Sequence, residues 1–118
     1  LEQCPFLVNE EDIQKIRRAK DIILERMTDP PSLENLALEI ELSLKKLKEG
    51  FKQLFGDTVY SYLLYHKMEE ARRMLDSQKF NVNEVSLKLG YSTASHFIAA
   101  FKKKYGTTPK KYIGSVSS

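Results

Sequence analysis

Fifty residues apart, the chain repeats itself. Phe51-Lys52-Gln53-Leu54-Phe55-Gly56-Asp57-Thr58-Val59-Tyr60-Ser61-Tyr62-Leu63 aligns with Phe101-Lys102-Lys103-Lys104-Tyr105-Gly106-Thr107-Thr108-Pro109-Lys110-Lys111-Tyr112-Ile113. The register pairs Phe51 with Phe101, Gly56 with Gly106, Thr58 with Thr108 and Tyr62 with Tyr112. A helix stopped by glycine and restarted behind a threonine cap is therefore expected in two copies. A solenoid needs about three or more stacked repeats, so two copies point instead to a pair of like supersecondary modules. Two such modules in one chain suit a ligand that is itself repetitive.

The chain has 118 residues, enough for one domain or for two small subdomains sharing an element. Its net charge of +3 conceals an asymmetry. From Val85 to the end there are six lysines (Lys88, Lys102, Lys103, Lys104, Lys110 and Lys111) and no acid, whereas the first third carries more acids than bases. Such a split reads either as a surface for polyanions, nucleic acid above all, or as a solvated lysine face. Cys4 is the one cysteine, which excludes an internal disulfide and a thiolate metal cluster and favours a cytoplasmic setting. No apolar run approaches the ~20 residues that span a bilayer, and no signal-peptide core opens the chain, so no membrane partner is expected. The start at Leu1-Glu2 leads us to expect a fragment of a longer protein, with an effector or dimerisation domain on the missing N-terminal side.

Helical periodicity runs throughout, and no alternating strand pattern interrupts it. Residues 10 to 27 put Ile13, Ile16, Ile23 and Met27 near one face, ahead of a stop at Asp29-Pro30-Pro31. Ser32 is a candidate cap for a short helix with Leu33, Leu36, Ala37 and Ile40 inward, and Glu41-Leu42-Ser43 is a tight turn. Ser43 caps a third predicted helix, burying Leu47, Phe51 and Leu54 and halting at Gly56. Thr58 caps a long helix over residues 59 to 76. Asn81 to Glu84 has the pattern of a capping box before a short helix with Val85 and Leu89 on one side. After a turn at Gly90-Tyr91-Ser92, a helix from Thr93 to Tyr105 buries Phe97 and Phe101, and Thr108-Pro109 opens a last short helix.

Each copy is thus a short helix, a turn and a second helix charged on one side, the helix-turn-helix arrangement. There the second helix enters the DNA major groove while the first crosses the backbone. The fold class expected is all-α, with two helix-turn-helix subdomains joined by a long linker helix. The divisions are a tail at 1–9, a first subdomain at 10–57, the linker helix at 58–77, a second subdomain at 78–113 and a tail at 114–118. An 18-residue helix is roughly 27 Å long, which together with its flanking elements suits heads about one DNA turn, ~34 Å, apart. The expected phosphate-binding residues are Ser43, Lys46, Lys52, Ser92, Thr93, Lys102, Lys103 and Lys110, with helix N-terminal amides near Ser43 and Ser92 contributing.

The stretch Val82-Asn83-Glu84-Val85-Ser86-Leu87-Lys88-Leu89-Gly90-Tyr91-Ser92-Thr93-Ala94-Ser95-His96-Phe97, continued by Phe101-Lys102-Lys103-Lys104-Tyr105-Gly106-Thr107-Thr108-Pro109-Lys110-Lys111-Tyr112, resembles the signature of the AraC/XylS family of bacterial transcription regulators. The resemblance covers about residues 30 to 113. It implies about seven helices, binding to double-stranded promoter DNA, and contact with RNA polymerase. Carried over residue by residue, Lys45, Lys48 and Glu49 match the base-reading face of the first unit, and Ser95, His96 and Ala99 that of the second. Many family members carry arginine at the position of Ala99, and alanine offers no donor to a guanine edge. Glu49 stands where a basic residue is frequent, and a carboxylate there can accept from cytosine N4. Lys67 stands where arginine is usual, and the resemblance implies that it binds phosphate. Cys4-Pro5-Phe6-Leu7 and the acidic helix start are similar to the subgroup controlling iron-siderophore genes.

Beside these stand plainer expectations. Phe51, Phe55, Phe97, Phe101 and Tyr105 fall at helical spacing and read as core rather than as a base-stacking platform. His66 and His96 have no ligand partner at metal-site spacing, so neither a metal nor another cofactor is expected. No nucleophile triad, phosphate loop or paired carboxylate supports an enzyme. The rival to DNA binding is a helical module that contacts RNA polymerase or a missing domain of its own chain.

Overall fold

A computed structural model describes residues 9–116 of the chain. Every regular element among the described residues is α-helical: α1 (Glu10–Glu25), α2 (Leu33–Glu39), α3 (Leu44–Phe55), α4 (Val59–Asp76), α5 (Val82–Lys88), α6 (Ala94–Tyr105) and α7 (Pro109–Val116). The chain forms two compact units, with the division between Leu64 and Tyr65. It falls inside α4, whose opening turns belong to the first unit and the remainder to the second.

In the first unit α1 begins where the Asn9 side chain accepts the Glu11 amide at 2.7 Å, and Glu10, Glu11 and Asp12 put negative charge at the positive end of the helix. The helix ends two residues before the predicted Met27. Arg26 leaves helical geometry at φ −108° and ψ 41°, and the Asp29 amide folds back onto the Arg26 carbonyl at 3.1 Å. The reason is the Pro30-Pro31 pair: a proline pushes its predecessor toward extended backbone, so a turn must separate it from α1. Met27 still packs against the core from that turn. Ser32 caps α2 by accepting the Asn35 amide at 3.1 Å, and Ser43 caps α3 by accepting the Lys46 amide at the same distance. Ile16, Ala19, Ile22 and Ile23 of α1, Leu36, Ala37 and Ile40 at α2, Leu47 and Phe51 of α3, and Val59 and Leu63 of α4 close one apolar cluster.

The second unit restates the first. The capping box at Asn81 forms in full, with the Asn81 side chain accepting the Glu84 amide at 2.8 Å and the Glu84 carboxylate accepting the Asn81 amide at 2.9 Å. Buried residues in this unit include Met68, Ala71, Met74 and Leu75 of α4, Val85 and Leu89 at α5, and Phe97 and Phe101 of α6. α6 starts one residue later than its sequence suggests: Thr93 is the cap, in extended backbone, and accepts the His96 amide at 3.4 Å. α7 runs to Val116, so residues 114–116 are helical rather than tail, and the Ser115 hydroxyl donates to the Tyr112 carbonyl at 3.1 Å within that last turn.

The repeat is reproduced in its packing. Phe51 lies 4.7 Å from Phe55 and 5.4 Å from Tyr62, centroid to centroid, while the matching Phe101 lies 4.7 Å from Tyr105 and 5.6 Å from Tyr112. Phe51, Phe97 and Phe101 have no exposed surface, which makes them core, as their spacing implied. Gly56 and Gly106 end α3 and α6 in the left-handed region at φ 79° and 76°. The turn after α2 is different in kind from the turn after α5. Glu41 holds φ 57°, an unfavourable conformation for a residue with a Cβ, where the second unit has Gly90 at φ 86°.

Candidate nucleic-acid interface

α3 packs against α1 and α2 through Leu47, Gly50 and Phe51. That inward stripe fixes what must face out. Lys45, Lys48, Glu49 and Lys52, spaced at three, four and seven, share the opposite face and are all exposed. The sequence-predicted base readers of the first unit thus stand together on one helix face, with Lys52 one turn further on.

The second unit is built the same way. Phe97 and Phe101 turn α6 inward, leaving Ser95, His96, Ala99, Lys102 and Lys103 exposed along the other side. Lys110 is exposed at the start of α7. Lys102, Lys103 and Lys104 in the last turn of α6 also sit favourably at the negative end of the helix.

Not every predicted phosphate ligand is equally placed. The hydroxyls of Ser43 and Thr93 are both engaged as caps, and the Thr93 carbonyl additionally accepts the buried Ser86 hydroxyl at 3.4 Å. Ser92 is exposed in the turn ahead of that cap. The Lys46 ammonium lies 3.2 Å from the Asp12 carboxylate, an ion pair between α3 and α1. Lys67 is partly buried, its ammonium 5.0 Å from the centre of the Tyr91 ring in the turn of the second unit, and this burial lowers its pKa.

Several charged side chains with structural roles escaped the sequence reading. Asp12 is buried, and its position in line with Ile16, Ala19 and Ile23 is the signal that could have placed it on the inward face of α1. Lys15 donates to the Glu41 carbonyl at 2.9 Å. Lys104 lies 3.2 Å from the centre of the Tyr65 ring and 3.3 Å from Glu69. Tyr105 donates its hydroxyl toward the Glu69 carboxylate at 2.9 Å and the Met68 carbonyl at 3.1 Å. That hydrogen bond holds Glu69 below the ordinary glutamate range against the opposing effect of desolvation, with Lys104 and Arg72 assisting. Burial, with the Glu69 hydrogen bond and charge, pushes the Tyr105 phenol well up.

No group of three or more His, Cys, Asp or Glu side chains among the described residues could hold a metal ion. No helix among them is long and apolar enough to cross a membrane. Residues 1–8, including Cys4-Pro5-Phe6-Leu7, and residues 117–118 lie outside the described part of the chain.

Two units, each a capped helix, a turn and a second helix with an exposed polar face, define a helix-turn-helix protein. The family model described as a helix-turn-helix domain matches residues 36–115, and the chain belongs to that family. Its character is that of an AraC-type domain. The chain is similar to the xylose operon regulatory protein of Escherichia coli strain K12, at 37% identity over 73 residues, covering 62% of this chain and 19% of that protein. It is similar also to the solved C-terminal domain of the two-component response regulator yesN from Fusobacterium nucleatum, at 34% identity and a TM-score of 0.74, covering 82% of this chain and 95% of that one. The DNA-binding domain of AdpA, solved in complex with a target DNA, shares the fold at a TM-score of 0.78 and 21% identity, covering 86% and 91% of the two chains. The chain spans about a fifth of the length of the curated regulator.

Proposed function

We propose that this chain is the sequence-specific duplex DNA-binding domain of a bacterial transcription regulator and that it reads two successive major-groove segments of a promoter. The observation that carries this reading is the pair of exposed faces, Lys45, Lys48, Glu49 and Lys52 on α3 and Ser95, His96, Ala99, Lys102 and Lys103 on α6. The major groove admits a helix and shows a distinct pattern of donors and acceptors for every base pair. Lys45 and Lys48 are donors suited to guanine, Glu49 is an acceptor suited to cytosine N4, and the Ala99 methyl suits the methyl of thymine. Lys52, Lys102, Lys103 and Lys110, with helix N-terminal amides, hold phosphate. The first unit takes residues 10–57, the helix over 58–77 links it, and the second runs from residue 78 to the end of α7 at Val116. Similarity to regulators, and the AdpA domain's solution with DNA, support the assignment. A setting in the cytoplasm and a place in the siderophore-regulator subgroup, the latter from Cys4-Pro5-Phe6-Leu7, belong to the same proposal.

Selection from a random duplex library at near-physiological salt, followed by anisotropy on the enriched site, tests it. Half-sites about 10 base pairs apart support two reading heads. A single half-site overturns readout by the second unit, and no enrichment overturns base reading altogether. One observation favours protein contacts as well: Leu38 on α2 and Leu87 on α5, at matching places in the two units, are 74% and 76% exposed. A surface leucine so placed suits contact with RNA polymerase or with an effector or dimerisation domain of the same protein, and cross-linking from those positions tests it.

A further inference from the structure

α1 lies outside the stretch matched by the family model, yet it grips the first helix-turn-helix at two points. Asp12 is buried, with its side chain 11% exposed, and its carboxylate meets the Lys46 ammonium at 3.2 Å in the first turn of α3. One turn along α1, Lys15 donates to the carbonyl of Glu41 at 2.9 Å, at the left-handed residue of the helix-turn-helix turn. The amide of Lys46 is meanwhile bonded to the Ser43 cap. Backbone and side chain of Lys46 are therefore both held, between the two flanking residues expected to read bases. The Lys46 side chain is 51% exposed and its ammonium has three donors, so it can reach a phosphate, but either with its charge already balanced by Asp12 or by leaving that largely buried carboxylate without its cation.

We propose that Asp12 is a specificity-determining positioning residue of the first unit. It withholds the Lys46 charge from phosphate and, with Lys15, fixes the start of α3, so that Lys45 and Lys48 meet bases without an added sequence-blind grip. The inference rests on the DNA-binding reading above. Its consequence is unusual for an ion pair between helices: loss of the acid should strengthen binding to random DNA, an effect that mere loosening of the fold does not produce.

The test uses the 118-residue chain with Asp12→Asn and with the neutral pair Asp12→Asn/Lys46→Gln, helicity being checked by circular dichroism. Affinity for a random duplex and for the selected site is measured across a salt series. Asp12→Asn should steepen the random-duplex salt slope by about 0.9, which is close to an eightfold gain at ~0.1 M salt relative to a 1 M reference, and should lower the preference for the selected site. The double variant should return to the slope of the native chain. An unchanged slope for the single variant overturns the proposal. Should the single variant fail to fold, the double variant decides alone. A slope equal to the native one means that Lys46 was withheld, and a slope shallower by about 0.9 means that it already served phosphate and overturns the proposal. Failure of the DNA-binding reading is distinguishable, because the native chain itself would then show no salt-dependent binding.

Discussion

Gly56 and Gly106 occupy the same place in the two copies, and replacing each by alanine gives a cost that follows from the backbone alone. Both sit in the left-handed region, at φ 79° and ψ 7° and at φ 76° and ψ 1°. A Cβ added at either would meet nothing within 4 Å, so crowding contributes nothing. What remains is the left-handed strain of an L residue, about 1–2 kcal/mol, offset by the lower entropy of the unfolded alanine chain, about 0.4–1 kcal/mol. Each variant should therefore lose about 1 kcal/mol, or roughly 4 °C in melting temperature for a domain of this size. Gly114 is the internal control. It lies in α7 with no positive φ and equally open surroundings, so Gly114→Ala should be neutral or stabilise by up to about 1 kcal/mol. Urea unfolding followed by circular dichroism measures all three. A loss at Gly114 equal to the other two would refute the reasoning, as would a gain at Gly56 or Gly106. Because both glycines end their helices well away from the N-terminal reading turns, selectivity for DNA should stay as it was.

Three further outcomes are expected. Glu69 has a folded pKa below its ordinary value near 4.5, so the stability it contributes is complete above that value and is lost as pH falls through the lowered one; melts between about pH 6 and about pH 3 should steepen there, and Glu69→Gln should flatten them. Asn81→Ala removes the acceptor half of the capping box at α5 and should cost about 1 kcal/mol in urea unfolding. Lys45→Ala with Lys48→Ala should cost about 1–3 kcal/mol of discrimination for each base no longer read, whereas Lys103→Ala should weaken every duplex alike and reduce the salt slope by about 0.9; anisotropy on selected and random DNA separates the two, and equal losses on both duplexes for the first pair would remove Lys45 and Lys48 from base reading.

Much of the candidate interface is legible in the sequence. The stripe formed by Lys45, Lys48, Glu49 and Lys52 follows from a helix that buries Leu47 and Phe51, and the stripe from Ser95 to Lys103 follows likewise from Phe97 and Phe101. Capping at Ser32, Ser43 and Asn81 and arrest at Gly56 and Gly106 were equally plain. Helix ends were harder. α1 yields to a turn before Pro30, and α7 continues past residue 113, because a helix terminus is a close contest between weak local preferences and the contacts of the following residues.

By itself, then, the sequence determined the elements, their duplication and the outward face of each second helix. Those properties depend on periodicity and capping within about four residues, where chain connectivity already sets the geometry. Only the tertiary structure decided which of the lysines are spoken for. Lys46 is committed to Asp12, 34 residues away, Lys104 to Tyr65 and Glu69, and Lys67 to the face of Tyr91. Lysines on a helix look alike as sequence, since an ammonium on a flexible stem takes whatever partner packing brings within reach. Whether its charge remains for a polyanion is settled by the neighbouring helix rather than by its own.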